Sequence, residues 1–246
     1  MKVAVITPTI GSKYLSKCLD SIQLQTYTNL EHYVFIDGQE YFEQTESIVA
    51  GSRNYGTPVS LVRLDKNIGK GWYGHRVYAA CSFLVDADII CYLDEDNWFD
   101  HEHVSKLINT ITKQELDWAY SLRTIVDREG NPLCYDDCES LGEWPAYVGE
   151  NVLHIDTSCF AIKKDVALTV GHAWHAQWGA DRRFFAALRH YFPKYGGSGA
   201  YSCHYRLEGN EGSVTREFFD KGNAEMSLKY PDGFPWRGHL NPDTIS

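Results

Sequence analysis

No run of the sequence approaches the roughly 18–20 apolar residues that a helix needs to cross a bilayer, so stable membrane insertion is not expected. The opening MKVAVITPTIG lacks the long apolar region of a secretory signal and leads straight into a strand, which sets the expectation of a cytoplasmic protein. Positive charge is also short: 23 Lys and Arg face 33 Asp and Glu, a formal net charge of −10. Affinity for a nucleic-acid backbone comes from Lys and Arg displacing counterions, so this balance argues against unmodified nucleic acid as a partner and leaves only a local basic groove as a route to one. The seven cysteines, Cys18, Cys81, Cys91, Cys134, Cys138, Cys159 and Cys203, are odd in number and scattered, which fits reduced, buried thiols better than a disulfide framework. Cys134 and Cys138 are the one close pair, and no second Cys or His pair stands at zinc-finger spacing. Internal repeats and low-complexity segments are absent.

What is present fits one folded α/β domain. The 246 residues suffice for a single core, and 43% hydrophobic residues with 7 Trp, 16 Tyr and 11 Phe argue for a packed chain with ring-lined pockets. Val3 to Ile6 is an apolar run closed by Thr7-Pro8-Thr9, and Leu15, Cys18, Leu19 and Ile22 follow at one-face helical spacing. His32 to Ile36 reads as a second strand ending at Asp37-Gly38, with a helical stretch near Phe42 to Val49 and a third strand at Val59 to Leu64. Asn67-Ile68-Gly69-Lys70-Gly71 is a glycine-rich loop before a helix over His75 to Leu84. Ile89 to Leu93 is a fourth strand, stopped by Asp94-Glu95-Asp96-Asn97, after which Val104, Leu107, Ile108 and Ile111 mark a further amphipathic helix. Four βα units in about 115 residues predict a parallel sheet.

The second half is less regular. Strands are expected at Trp118 to Val126 and Ser158 to Ile162, a loop at Asp136 to Gly149, and a helix near Asp181 to His190. A glycine-rich turn is expected at Gly196 to Gly199, then a strand at Tyr201 to Tyr205 and a polar tail holding Pro231, Pro235 and Pro242. Residues 1–115, 116–230 and 231–246 thus read as two halves of one domain and a tail.

The strongest chemical signal is Asp94-Glu95-Asp96 at the carboxyl end of a buried strand, the edge where open α/β sheets bind ligands. Three adjacent carboxylates either surround a hard cation such as Mg²⁺ or Mn²⁺, whose other ligands are phosphate and water, or form a solvated turn that caps the next helix. Asp37 falls on the same edge and either accepts from a base or ribose or simply makes an Asp-Gly turn. The loop from Thr7 to Gly11 offers backbone NH groups and small side chains there.

A strand ending Thr-Pro-Thr, an Asp closing the second strand, Asn-x-Gly before a helix bearing Arg, and Leu-Asp-Glu-Asp-Asn together resemble the family 2 glycosyltransferases. The resemblance covers roughly residues 1–115. It implies a GT-A (Rossmann-like) fold with a central, mostly parallel mixed sheet, a nucleotide-sugar donor with uridine as the favoured base, Mn²⁺ or Mg²⁺ as cofactor, and inversion by direct displacement. By matched position, Thr7, Pro8, Thr9, Asp37, Asn67, Arg76, Asp94 and Glu95 fall on the donor side and Asp96 on the metal. Gly74-His75-Arg76-Val77 departs from the family's usual Arg-Asn, which leaves Arg76 either a phosphate contact or a surface arginine.

Trp178-Gly179-Ala180-Asp181 resembles the family's Glu-Asp element with Ala in the Glu place. It implies Asp181 as the base that takes the acceptor proton, although Asp at a helix start is also a favoured cap. Cys203-His204-Tyr205-Arg206 resembles the closing element, implying His204 as a further metal ligand and Arg206 beside the diphosphate, with Lys70 or Arg216 as helpers. Trp144, Trp174 and Trp178 either line a sugar or acceptor pocket or pack in the core. The rival readings are a nucleotidyltransferase, which would carry a Gly-rich, Lys- or Arg-containing signature after the first strand, and a sugar-nucleotide-binding module without turnover.

Overall fold

Val3, Ala4, Val5 and Ile6 are apolar at every position, a pattern that suits a strand covered on both faces. They open β1 (Val3–Thr9), where all four are fully buried. A computed structural model describes residues 1–207 and 214–237. Pro242 and the rest of the expected tail from 238 on lie outside the described residues.

In the first half, β2 (Leu30–Asp37), β3 (Val59–Leu64) and β4 (Ile89–Tyr92) join β1 in parallel. The crossovers carry α1 (Leu15–Gln23), α2 (Phe42–Gly51) and α3 (His75–Leu84). The helix α1 buries Leu15, Cys18, Leu19 and Ile22, the face its spacing predicts.

The second half adds β5 (Trp98–Phe99), α4 (His103–Gln114), β6 (Trp118–Val126), β7 (Pro132–Tyr135), β8 (Phe160–Lys163), α5 (Lys164–Val170), α6 (Ala180–Tyr191), β9 (Tyr195–Arg206) and α7 (Arg216–Lys229). The sheet order is β3-β2-β1-β4-β8-β6-β9-β5, with β7 on β6. Because β8 is antiparallel to both β4 and β6, and β9 is parallel to β6, the strands β1, β2, β3, β4, β6 and β9 all run one way. The strands β5, β7 and β8 run the other way. The carboxyl ends of β1, β2, β4, β6 and β9 therefore share one edge, where Thr9, Asp37, Asp94 and Arg206 stand. No helix among the described residues is long and apolar enough to cross a membrane.

Several elements differ from the sequence expectation. Gly196 to Gly199 is not a turn but lies inside the twelve-residue β9. Its register on β6 jumps from Tyr120↔Gly197 to Leu122↔Tyr201, so the extra residues bulge. Glycine serves here to admit a ring: a Cβ on Gly197 would stand 2.9 Å from the Tyr120 ring, and one on Gly142 only 2.1 Å from it. The strand expected from Ser158 starts at Phe160, since Thr157–Cys159 form a 3₁₀ turn capped by the Asp156 carboxylate. Two-residue β5 and four-residue β7 are too short to show a period. The helix α7 lies in a stretch for which the sequence predicts no element, since only Phe219, Gly222 and Met226 of its fourteen residues are buried and its periodicity is weak. All seven cysteines are free, six of them buried.

The main apolar cluster packs α1, α3, α4 and α6 onto the sheet, and a second gathers Leu122, Ile125, Leu141, Phe219, Met226 and Trp236 beneath the later half. Phe184 links α6 to the donor-side core: it is fully buried and stacked on Trp174 at 4.3 Å. Phe184→Ala is expected to cost about 3–5 kcal/mol of folding stability through lost burial and a cavity. Urea unfolding would register this as a lower midpoint with an unchanged slope.

Candidate active site

The three carboxylates after β4 separate into two jobs. Glu95 accepts from the Thr9 hydroxyl at 2.5 Å and from the backbone NH groups of Ser12 (2.9 Å) and Ile10 (3.3 Å). Both its oxygens thus staple the loop after β1, which places this donor-side candidate in a supporting position. Asp94 accepts from the Tyr78 hydroxyl at 2.8 Å and from Ser158 Oγ at 3.3 Å. Desolvation first, then the charges of Asp96 and Asp156, push its carboxyl up to about 8. Asp96, 9% exposed, is pushed up to about 6 by burial and then by Glu95. Two crowded hard-oxygen groups that resist sharing negative charge are a donor set that a divalent cation fits.

Asp37 is committed to the glycine-rich loop. Its two oxygens accept from the NH groups of Ile68 and Gly69, each at 2.8 Å. A Cβ on Gly69 would stand 2.5 Å from that carboxylate, which explains the glycine. The same loop carries Asn67, whose Oδ1 is buried without a partner. Arg76 lays its guanidinium 3.9 Å over the Trp72 ring and reaches the Ile68 carbonyl at 3.5 Å. Gly74, at φ 74°, crosses over Pro8. The Thr7 hydroxyl turns into the core, 2.9 Å from His32 Nε2, so only its backbone faces the edge.

The center of the site is a buried arginine that sequence reading passed over. Arg123 on β6 is 1% exposed and meets Asp136 and Asp156 at 2.7 Å each and Glu139 as a third partner. Burial alone would favour its neutral form, but the three carboxylates hold its pKa well above the ordinary value. Asp136 also collects the NH groups of Cys138, Glu139 and Ser140, so one carboxylate shapes the loop that follows β7. From Asp156 the chain of contacts passes through the NH of Ser158 to Asp94. From Glu139 it passes to Arg182 on α6 at 3.5 Å. Next to Arg182, Asp181 lies 3.6 Å from the buried His154 and raises the carboxyl pKa of Asp156 as a neighbouring charge, behind the larger effects of burial, Arg123 and His154. Asp94, Asp96 and Asp156 therefore share one electrostatic neighbourhood, and Asp181 borders it on the side of Asp156. The signal available in the sequence was a lone Arg inside the otherwise apolar and small-polar Trp118–Val126, a buried charge that demands carboxylate partners.

The closing element is anchored on β5. His204 stacks on Trp98 at 4.8 Å and places Nε2 2.6 Å from Asp100, leaving Nδ1 as its buried, unpartnered nitrogen. Arg206 donates from Nε to the Asp96 carbonyl at 3.0 Å and also to the Arg128 carbonyl. Among the described residues, one trio of potential metal ligands has atoms within 4.8 Å of one another: Asp156, Cys159 and Cys203. Its carboxylate is already engaged by Arg123 and Ser158. Trp178 is 71% exposed with Arg182 5.2 Å from its ring, whereas Trp144 packs near Trp236 and Trp174 is core. Lys70 is exposed, and Arg216 pairs with Asp220 on the surface of α7.

The profile of glycosyl transferase family 2 matches residues 4–170. The chain is 29% identical over 100 residues to an uncharacterized protein of Haemophilus influenzae, covering 34% of this chain and 68% of the other. It is 27% identical over 137 residues to glycosyltransferase GlyA of Streptococcus pneumoniae, covering 48% of this chain but only 16% of that protein. Among solved structures, S. aureus TarS 1-349 superposes with a TM-score of 0.65 at 14% identity, covering 94% of this chain and 72% of that one. TarS 1-349 in complex with UDP-GlcNAc gives 0.66 at 16% identity, covering 95% and 67%.

Arg123→Met removes the charge that three buried carboxylates share and is expected to destabilise the fold by about 3–5 kcal/mol at neutral pH. Without Arg123 the folded-state carboxyl pKa values rise above their unfolded values, so the variant regains stability as pH falls. Denaturation curves at pH 7 and pH 5 should show the gap to wild type narrowing at the lower pH.

Proposed function

Because the chain belongs to glycosyl transferase family 2 and adopts its GT-A fold, we propose that it moves a sugar from a uridine diphosphate sugar onto an acceptor hydroxyl, with inversion at the anomeric carbon. What supports this reading is the crowding of Asp94 and Asp96 at the carboxyl end of β4, tied through Ser158 and Asp156 to the Arg123 network that also reaches Arg182 next to Asp181. The solved complexes of S. aureus TarS with UDP and with UDP-GlcNAc support uridine as the base.

In this reading residues 1–115 hold the donor and residues 116–230 present the acceptor, working as one unit. Asp37 and the backbone of Thr7, Pro8 and Thr9 take the nucleoside, with the orphan Asn67 Oδ1 beside them. Arg76 and Arg206 face the diphosphate, and Glu95 fixes the loop on which the donor lies. Asp96 with Asp94 would hold Mn²⁺ or Mg²⁺, whereas His204, stacked on Trp98 and turned to Asp100, is not gathered with them. The cation supplies charge neutralisation for the departing diphosphate. Asp181 accepts the proton of the acceptor hydroxyl as its oxygen bonds to the anomeric carbon and the bond to the diphosphate breaks, its electron pair leaving with the diphosphate. Trp178, exposed beside Asp181, offers a ring face to the acceptor, with Trp144 further out.

Calorimetric titration with UDP, with and without Mn²⁺, tests the donor half. Asp96→Ala is expected to lose metal-dependent UDP binding by more than about tenfold, or roughly 1.4 kcal/mol. Asp181→Asn should bind UDP within about twofold of wild type yet release UDP from the donor about 10²-fold more slowly, the scale of a lost general base. Wild-type UDP binding that ignores both metal and Asp96 would overturn the donor assignment.

A further inference from the structure

His154 is a buried imidazole to which the donor and acceptor assignments give no work. It is 4% exposed, in the irregular segment ahead of β8. Its Nε2 stands 3.6 Å from Asp181 Oδ2, and among the described residues its Nδ1 is buried without a partner. A buried polar ring with one nitrogen aimed at a carboxylate and the other at nothing calls for a reason.

The ring sits on a well-tied mount. The His154 carbonyl accepts from the Gly142 NH at 3.0 Å, and the Val152 carbonyl accepts from the Ala146 NH at 2.7 Å. Two residues on, the Asp156 NH donates to Ser140 Oγ at 2.9 Å, and the Ser140 NH donates to Asp136 Oδ2 at 3.0 Å. The segment that carries the imidazole is therefore laid along the loop that Arg123 shapes.

Asp181 meets the ring from the first turn of α6. Gly179 is the cap residue there, without a side-chain cap bond, so the carboxylate is not spent as a cap. Its Oδ1 accepts from the Arg182 NH at 2.8 Å, which leaves Oδ2 to face His154. The Asp181 side chain is 24% exposed and that of His154 5%, so the carboxylate has the ring behind it and solvent in front. The other charged and titratable neighbours are engaged elsewhere. His75 on α3 holds the Ala176 carbonyl through Nδ1 at 3.0 Å, and burial keeps its imidazole below the ordinary pKa against the pull of that carbonyl and of the Asp181 charge. Asp156 is bonded by Arg123 and by the Ser158 NH, and Arg182 reaches Glu139 at 3.5 Å.

These contacts choose the tautomer. A ring nitrogen that faces a carboxylate carries the proton, and the nitrogen without a partner is better left as a lone pair, because an orphaned buried N–H is the rarer and costlier case. At 3.6 Å the contact is longer than a finished hydrogen bond, and hydrogen bonds among catalytic groups tighten when substrate is in place.

We propose that His154 is the positioning residue of the Asp181 base: with its proton on Nε2 it donates to Asp181 Oδ2 and holds the carboxylate turned to the acceptor hydroxyl. Each carboxylate oxygen has two lone pairs, so Oδ2 keeps one for the acceptor proton while it accepts from the ring. The catalytic role rests on the glycosyl-transfer reading, whereas the contact between the two side chains does not.

The contact is tested by proton–nitrogen NMR of the histidine rings in the full chain, with the His154 signals identified by their loss in His154→Gln. The wild type should carry its ring proton on Nε2, and that resonance should shift when Asp181→Ala removes the acceptor. The role is tested by UDP release from uridine diphosphate sugars, UDP-GlcNAc among them. His154→Leu should lower kcat about tenfold, the scale of one hydrogen bond to a charged group, and leave the donor KM within about twofold. His154→Gln, whose amide NH can take the place of Nε2–H, should recover kcat to within about threefold of wild type. In an Asp181→Asn background, His154→Leu should cost nothing further, because a residue that acts through the carboxylate has nothing left to act on. A ring resonance indifferent to Asp181→Ala, equal losses in the Leu and Gln variants, or a full additional loss in the Asp181→Asn background would each overturn the proposal. A wild type that releases no UDP would sink the glycosyl-transfer reading and the catalytic role with it, and the ring resonances would then decide the contact alone.

Discussion

The site depends on one buried guanidinium. Arg123 carries a full positive charge where there is almost no water, and such a charge persists only when compensated. The partners that compensate it come from loops with no regular structure of their own: Asp136 and Glu139 after β7, and Asp156 before β8. The arginine therefore acts as the tie that gives these loops one shape. Because Asp156 hands on to Ser158 and Asp94, and Glu139 to Arg182 beside Asp181, the same tie reaches the end of β4 and the start of α6.

How much of this was legible in the sequence follows from the range of each interaction. The first four βα units could be read because their residues declare themselves locally: Val3 to Ile6 has no polar face, and Leu15, Cys18, Leu19 and Ile22 share one. Val59–Leu64, His75–Leu84 and Trp118–Val126 lie where their patterns indicate. Gly196 to Gly199 misled because glycine usually marks a turn, whereas here it makes room for Tyr120, a residue some seventy-five positions earlier in the chain. Nothing local to the glycines reveals that neighbour.

The candidate site divides in the same way. Asp37, Asp94, Asp96 and Asp181 stand at element ends, where sequence shows them. The assignment of Glu95 to the β1 loop, of the Thr7 hydroxyl to His32, and of His204 Nε2 to Asp100 is set by contacts across the sheet. Three adjacent carboxylates look equivalent in sequence, yet Glu95 is spent on the loop after β1 and Asp94 is held by Tyr78 and Ser158. Charge density marks a region, and hydrogen bonds decide which member of the cluster remains for chemistry.

The Glu95 staple has a consequence for how such a chain can change. Through Thr9, Ser12 and Ile10 it joins the loop after β1 to the residue next to Asp96. The loop after β1 and the turn that carries Asp96 are thereby linked as one lever: a shift of either is felt by the other through the Glu95 side chain. Descendants of this sequence would then not be free to alter the two segments independently. A lineage that reshapes the loop would have to carry a matching change at position 95 or at its partners, and such paired drift would be the historical trace of a mechanical linkage.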